Sequence, residues 1–446
     1  MDIIICGAGQ VGSYAAEVLG AAHHNITVID TNGERLRAIS DSLDVADITG
    51  DCAHAENLIE AGAAKADLLV AATNSDEVNV LAAATAKGLG TRKVIARVHH
   101  RAFFDQLGFN YRDRFGIDEL ICPEYSTAIA IARTLRNPGA LAIEDFARGS
   151  VEMQEFPVSR TAVAVGRKLM DLTLPPGTRL AAISRNGESF IPQGSTEIEP
   201  DDIVIVVGNA EIFQEARRIF HDEKRKRKRI AIMGGPAMAV WLCRALENRD
   251  FAVRLFETDR ARAEQLAEKL SWVTVIHGDP TDPSTFEEEH LAQVDVFVAL
   301  LDDDEHNILG CAWAKSMGVS ETCAVVQRAN YLHLLRGVGI QLAFSPRRVA
   351  VKEIEQVVNE GPLQRMASLA EGVIDVYTVC VGPKSGLLDK RLREIKLTPD
   401  WIVAAIQHEG RVGVPGANDR IQASDTVLVI GRHGREDKLR KLLDAG

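Results

Sequence analysis

The chain opens on a short apolar run, Asp2-Ile3-Ile4-Ile5-Cys6, that ends in Gly7-Ala8-Gly9-Gln10-Val11-Gly12, a G-x-G-x-x-G turn. Apolar residues at Val11, Ala15, Val18 and Leu19 then keep helical spacing. Strand, glycine turn and helix in this order meet the needs of a dinucleotide. Gly7 permits the tight turn out of the strand. Gly9 lets backbone approach a pyrophosphate, and Gly12 lets the helix pack close to the sheet. The phosphates would rest on unpaired N–H groups of the first helical turn, with the backbone of Ala8, Gln10 and Val11 facing them. A second apolar run, Asn25–Asp30, ends in an acid 23 residues after Gly7. A carboxylate there accepts hydrogen bonds from a ribose.

Strand and helix patterns alternate as far as about residue 122. Strands are expected at Ile3–Cys6, Ile26–Ile29, Val45–Ile48, Leu68–Ala72, Val94–Val98 and Glu119–Cys122. Helices are expected at Glu34–Leu43, Ala55–Gly62, Glu77–Leu89 and Ala102–Leu107. Several strands are apolar throughout, as strands covered on both faces are. The pattern predicts a Rossmann-like, doubly wound parallel sheet over residues 1–123. Pro123 is expected to stop the last strand. Ser126 is expected to cap a connecting helix, Thr127–Arg136, that Asn137-Pro138-Gly139 ends.

From 140 to 223 the character changes to a small β-rich α+β domain. Strands are expected at Val151–Pro157, Arg179–Arg185, Ser189–Pro192 and Asp202–Gly208, with a hairpin at Asn186-Gly187 and a closing helix, Glu211–Phe220. The basic run Lys224–Arg229 reads as a solvated linker, with contact to anionic lipid as the second choice.

The chain then repeats itself. Gly234 answers Gly7, a period of 227. Glu257 answers Asp30, His277-Gly278-Asp279 answers Thr49-Gly50-Asp51, and Asn307 answers Asn79. Phe344-Ser345-Pro346 answers Ile121-Cys122-Pro123, and Ser424–Gly431 answers Asp201–Gly208. Leu388–Leu392 is aligned with Leu169–Leu172. A duplicated two-domain module follows. Its second copy is a nucleotide-type domain at 228–348 and a β-rich domain at 368–446.

Composition narrows the class. A net charge of −12 argues against nucleic-acid partners. No stretch approaches the ~18 apolar residues of a membrane span, and with a strand beginning at residue 2 no signal peptide is expected. The seven cysteines are scattered without a C-x-x-C pair. The expectation is a reduced, cytosolic protein without disulfides or bound metal.

The fingerprint ICGAGQVG, the strand end GDC, the segment ATNSDEVN and the duplicated layout together resemble the tandem RCK (regulator of K⁺ conductance) regulatory subunits of Trk-type potassium uptake systems. The resemblance covers essentially the whole chain. It implies a peripheral protein on the cytosolic face of the membrane that binds NAD(H), and often ATP or ADP. It implies attachment to an integral membrane K⁺ transporter of the TrkH/TrkG type, and a homotetrameric ring that couples nucleotide state to K⁺ flux. Set beside it, Gly7, Ala8, Gly9, Gln10, Val11, Gly12 and Asp30 form the nucleotide turn. Arg35 could reach the adenosine end. Asp51 and Cys52 lie beside an adenine pocket, and Thr73 and Asn74 end the fourth strand over the switch-point crevice. Arg97 could pair with phosphate or with a neighbouring acid, and Glu124 follows Pro123. No catalytic residue is assigned, because no motif for a proton donor or metal stands near the site.

Two other readings stay open: an NAD-dependent oxidoreductase, and a regulator of a different K⁺ channel or efflux system. The second nucleotide site, at Gly234, Gly235, Glu257 and Asp279, is expected to be weaker. Pro236 replaces Gly9, Ala239 replaces Gly12, and Leu301-Asp302-Asp303-Asp304 replaces Thr73-Asn74-Ser75-Asp76. Arg328, Arg347 and Arg348 are expected to offset some of that acidity.

Overall fold

The structure, a computed structural model, describes residues 1–103, 109–136, 152–186, 188–208, 212–221, 227–247, 250–328, 331–358, 363–369, 373–383, 385–395, 401–408, 411–436 and 439–441. The expected end of the connecting helix at 137–139, the glycine of the Asn186-Gly187 hairpin and residues 224–226 of the basic run lie outside them. The chain divides into two compact units. One holds residues 1–133 and 226–358, and the other holds 134–225 and 359–446.

In the first unit, β1 (Asp2–Cys6), α1 (Gln10–Ala21), β2 (Asn25–Asp30), α2 (Gly33–Ser40), β3 (Ala46–Thr49), α3 (Ala55–Glu60), β4 (Leu68–Ala71), α4 (Asp76–Leu89), β5 (Lys93–Arg97), α5 (Tyr111–Phe115), β6 (Glu119–Ile121) and α6 (Pro123–Arg136) follow in turn. The sheet is parallel, in the order β3-β2-β1-β4-β5-β6. The order reverses between β1 and β4, which opens a crevice beyond their carboxyl ends. β1 and β4 are apolar because helices cover both faces. Ile3, Ile5, Leu68 and Val70 pack on one side, and Ile4, Cys6, Leu69 and Ala71 on the other. Each fully buried Ile, Leu or Val contributes about 1.5–3 kcal/mol. α5 was not foreseen in the sequence. Asn110 caps it and Gly116, at φ +65°, ends it. α6 begins at Pro123 rather than at Thr127, because the proline's fixed φ suits the first helical position. Cys122, not Ser126, stands before it, and the Ser126 N–H already donates to the Cys122 carbonyl at 2.9 Å. The helix is more than a connector, since Ala128, Ile131, Ala132 and Leu135 are buried.

The second unit begins with β7 (Glu152–Pro157), β8 (Thr178–Arg185), β9 (Glu188–Phe190), β10 (Ile203–Gly208) and α7 (Phe213–Phe220). These strands form an antiparallel sheet, β7-β10-β8-β9.

The chain then returns to the first unit. There β11 (Lys228–Met233), α8 (Ala237–Leu246), β12 (Phe251–Glu257), α9 (Arg260–Lys269), β13 (Thr274–His277), α10 (Pro283–Glu288), β14 (Val296–Ala299), α11 (Asp304–Ser316), β15 (Glu321–Val325), α12 (Tyr331–Gly337), β16 (Leu342–Phe344) and α13 (Pro346–Val358) repeat the fold. The order β13-β12-β11-β14-β15-β16 is the same. Lys228 and Arg229 open β11 and are not linker. Lys228 pairs with Glu321 at 2.9 Å, and the Arg229 N–H donates to Asp295 at 2.7 Å. Strand pairing and these acids outweigh solvation of two basic side chains.

β17 (Leu363–Leu369), β18 (Ile374–Cys380), β19 (Trp401–His408), β20 (Arg411–Gly413) and β21 (Thr426–Arg432) complete the second unit as a sheet ordered β17-β18-β21-β19-β20. β17 starts before residue 368 and has no counterpart among the described residues of the first small sheet. The two small sheets share a core in which Met153, Ala182 and Ile205 meet Ile374, Ala405 and Leu428. Arg179 crosses between them to the carbonyls of Val403 and Pro415, at 2.6 and 2.5 Å. The bridges Lys168–Glu197 and Arg391–Arg420 show that Leu392, not Leu388, answers Leu169. The apolar spacing of Leu387-Leu388 and Leu392 had hidden a shift of four residues.

Candidate functional site

The glycine turn sits where β1 meets the crevice. Gly7 has φ +102°, and a Cβ on it would lie 3.0 Å from the Ala72 carbonyl oxygen and the Thr73 nitrogen. A Cβ on Gly12 would fall on the Gly7 carbonyl oxygen, so helix and turn touch through backbone. A Cβ on Gly9 would meet no protein atom within 4 Å. The first and third glycines are therefore required by the fold, and the second faces open space. Gly9 is also the N-cap of α1, with no capping side chain and no acid in the first turn. By contrast α2, α4 and α5 are capped by Asn32, Ser75 and Asn110. The first-turn N–H groups at Gln10, Val11 and Gly12 are thus left for an anion.

Asp30 closes one side of the turn. Its carboxylate accepts from the Ala8 N–H at 2.5 Å and the Asn32 N–H at 2.8 Å. It fixes turn and α2 together while keeping lone pairs toward the crevice. Arg35 is exposed on the first turn of α2, where Asn32 caps its backbone N–H. Asp51 turns the chain by accepting from Ala53 at 2.9 Å. The Cys52 thiol lies in the core with Cys6 rather than toward the crevice. Its hydrogen bond with Cys6 lowers its pKa and raises that of Cys6. All seven cysteines are free, and six are buried.

Thr73 and Asn74 do not cap α4, since Ser75 does, accepting from Val78 at 3.3 Å. The Thr73 hydroxyl and N–H both donate to the Asn79 carboxamide oxygen, at 2.7 and 2.8 Å. Asn74 is exposed at the rim. Arg97 pairs with Glu124 at 3.1 Å, uniting two residues placed separately in the sequence. His99 joins them, with Nε2 3.7 Å from Glu124 and Nδ1 2.8 Å from Asp76. Asp76 also accepts from the His99 and His100 N–H groups. Burial pushes the Asp76 carboxyl up, but the His99 ring and those two N–H groups outweigh it and hold its pKa below the ordinary value. Asn79, Asp76 and His99 were missed in the sequence because they lie inside or beyond a helix start and touch only through the fold. The repeat of Asn79 by Asn307 was the available signal.

The second turn copies the first and then fills it. The Glu257 carboxylate accepts from Gly235 at 3.0 Å and Asp259 at 2.9 Å, as Asp30 does from Ala8 and Asn32. Glutamate is one methylene longer, and a Cβ on Gly235 would come within 2.7 Å of it. Gly234 has φ +93° and lies under the Leu301 side chain. Arg262, which answers Arg35, folds back on the Gly235 carbonyl with Nε and Nη2 at 3.1 and 3.0 Å. Pro236 is the N-cap of α8. Asp279 accepts from Thr281. In the acidic run Asp303 caps α11, and Asp304 accepts from the Gln327 and Arg328 N–H groups. Arg328 is spent on Glu305 and Tyr331. Arg347 lies against α1 of the first module instead, where packing of α13 carries it.

Two domain families match this chain. TrkA-N domain models match residues 3–123 and 230–346, and TrkA-C domain models match 153–221 and 376–444. The chain belongs to the TrkA family of Trk system potassium uptake proteins. It is 33% identical over 437 residues to the Trk system potassium uptake protein TrkA of Vibrio alginolyticus, covering 96% of this chain and 95% of the relative. It is 31% identical over 442 residues to a homologue from Archaeoglobus fulgidus, covering 99% and 100%. Among solved structures it resembles the GsuK channel (TM-score 0.60, 16% identity, 98% of this chain and 77% of that one) and the GsuK channel bound to NAD (TM-score 0.59, 16%, 100% and 79%). These likenesses establish a duplicated RCK-type fold. Family membership gives the chain a regulatory role in potassium transport.

Proposed function

We propose that the chain is a peripheral, cytosolic subunit that switches an integral membrane K⁺ transporter according to the nucleotide it holds. NAD(H) is the principal ligand, with ATP or ADP as competitors. The observation that carries this reading is the first glycine turn: an uncapped helix start, an open face at Gly9 and a poised Asp30, within a potassium-uptake family. The modules divide as nucleotide domains 1–123 and 228–348 and small domains 140–223 and 368–446, with β17 extending the last of these back to residue 363. The role is regulatory, not enzymatic, and needs no nucleic acid. A ligand that prefers one arrangement of the modules shifts the assembly toward it, by no more than its affinity difference, with couplings of about 1–3 kcal/mol.

Assembly as a homotetrameric ring fits the repeated exposure of apolar side chains. Leu81 on α4 and its counterpart Leu309 on α11 are 52% and 67% exposed, and Phe115 and its counterpart Val338 are 43% and 51% exposed. Repeated surfaces favour closed symmetry. The second site is the weaker one. Pro236, Leu301 and Arg262 occupy it in place of an open glycine, so Pro236→Gly alone should restore little affinity, and Pro236→Gly with Arg262→Ala more.

The test is calorimetric titration of the full chain with NADH, NAD, ATP and ADP, and co-purification of the tagged chain from native membranes. Binding to a single high-affinity site and recovery of a K⁺ transporter support the reading. Absence of nucleotide binding, or NADH turnover with small carbonyl compounds, would refute it. The full chain is required because Ala350, Val351 and Ile354 of α13 complete the core of the first nucleotide domain.

A further inference from the structure

α13 follows the last strand of the second parallel sheet, yet its apolar face is buried in the first module with Ile3, Ile5, Val11 and Leu19. This packing delivers Arg347, the second residue of α13, to α1. Its Nη2 donates to the Ser13 hydroxyl at 3.1 Å, and its guanidinium carbon lies 5.1 Å from the Tyr14 ring centroid. Its Nε is buried with no hydrogen-bond partner. A guanidinium offers five N–H donors, and among the described residues this one makes a single hydrogen bond. Burial lowers the Arg347 pKa in spite of the attraction of Glu17 and Tyr14. The second module has therefore placed an under-satisfied, partly desolvated cation on the helix whose N-terminus is the anion site of the first.

We propose that Arg347 is a phosphate-binding residue of the first nucleotide site, supplied by the second module. The proposal rests on the nucleotide reading above. Ser13 is three residues past Gln10, about 4.5 Å along the helix, so an arginine held there is within its own length of phosphates on the first-turn N–H groups. Releasing Ser13 gives up one bond from the guanidinium to a neutral hydroxyl and gains bonds from the same cation to an anion, with a geometry that allows two at once.

The arrangement is not reciprocal. Pro123 answers Pro346, so Glu124 stands where Arg347 stands. It is tied to Arg97 at 3.1 Å, and the next residue, Tyr125, meets Trp241 of α8 edge-on at 4.9 Å between centroids. Trp241 in turn answers Tyr14. Each module thus leans the start of its last helix on the other's glycine-turn helix, but only the second brings a cation. The first site gains a positive charge, whereas the glycine-turn helix of the second meets the Tyr125 ring and Glu124 stays paired with Arg97. A phosphate in the first site would bind both modules at once, and so would be read by both.

The experiment uses the full chain and its Arg347→Ala, Arg347→Gln and Arg347→Lys variants. Each is titrated with NADH, with ATP and with adenosine, which lacks phosphate. Arg347→Ala and Arg347→Gln should weaken NADH and ATP about tenfold or more and leave adenosine unchanged. Arg347→Lys should recover part of the loss, because it keeps the charge but not the fork. Unchanged NADH and ATP affinity in Arg347→Ala, or equal weakening of adenosine and NADH, would overturn the proposal while leaving nucleotide binding intact. A wild-type chain that binds none of the three would instead remove the nucleotide reading, and the role of Arg347 with it.

Discussion

Asn79 and Asn307 make the same bonds to backbone groups in the two parallel sheets. The Asn79 oxygen accepts from the Thr73 N–H at 2.8 Å, and its amide donates to the carbonyls of Thr73 and Arg97 at 3.1 and 2.9 Å. Asn307 accepts from Leu301 at 2.8 Å and donates to Leu301 and Val325 at 2.7 and 2.9 Å. Each is fully buried and ties together the ends of two neighbouring strands, β4 with β5 and β14 with β15. Removing either side chain strands backbone groups that water cannot reach. Asn79→Leu and Asn307→Leu should each cost about 3 kcal/mol, since a buried unsatisfied group costs about 1–3 kcal/mol. Denaturant melts of the full chain measure this. A loss under about 0.5 kcal/mol, the range of an ordinary surface change, would deny the asparagines their role.

Gly9 and Gly12 should fail in different ways. Gly9→Ala meets no protein atom and should fold with an unchanged melting temperature, yet lose NADH affinity where its methyl stands in the ligand's path. Gly12→Ala drives a methyl into the Gly7 carbonyl and should lower stability by about 1–3 kcal/mol. Paired melting curves and titrations separate the two. Equal behaviour of the variants would mean that the open face at Gly9 is not where the ligand approaches.

Asp30 should set cofactor choice. A carboxylate accepts a ribose 2′-hydroxyl and repels a 2′-phosphate, so the full chain should prefer NADH to NADPH. Asp30→Ala should weaken NADH by about 1.5–3 kcal/mol and also loosen Ala8 and Asn32. Comparable NADH and NADPH affinities in the wild type would contradict the assignment.

Acid should act through Asp76. Its pKa is held below the ordinary carboxylate value, so its contribution to stability is present above the unfolded-state value, about 3.9, and is lost as pH falls through the lower folded value. The wild-type melting temperature should fall more steeply below about pH 4 than that of Asp76→Asn. Parallel curves from pH 7 to pH 3 would show that the His99 and His100 bonds carry no such linkage.

Arg185 and His408 end equivalent strands and hold equivalent buried acids. Arg185 bonds Asp202 through Nε and Nη2, both at 2.8 Å, and His408 Nδ1 lies 2.6 Å from Asp425. A guanidinium stays charged, whereas an ordinary imidazole is charged only below about pH 6.5. Arg185→His should therefore be tolerated near pH 5.5 and lower the melting temperature by several degrees at pH 8. A melting temperature as high at pH 8 as in the wild type would show that the charge of Arg185 does not matter to Asp202.

How much of this was legible without coordinates follows from what is local. The glycine turn, the acid at Asp30, the alternation of apolar runs with helices and the repeat near 227 depend on neighbours in sequence. They placed the strands to within about two residues and found the first site's turn. Stereochemistry determines such features, because a positive φ at Gly7 or a continuous apolar strand has few alternatives. Tertiary structure decided the rest. Arg97 and Glu124 are 27 residues apart and met only when α6 closed the sheet. Asp76 found His99 just beyond the end of the neighbouring strand β5. Arg347, assigned to the second site by its position in the repeat, reached the first because α13 buries its apolar face against another module's core. Hydrophobic burial is non-directional. A sequence shows that α13 has a face to bury, but the identity of the surface that buries it, and so the place of the charge it carries, is set only by the three-dimensional packing.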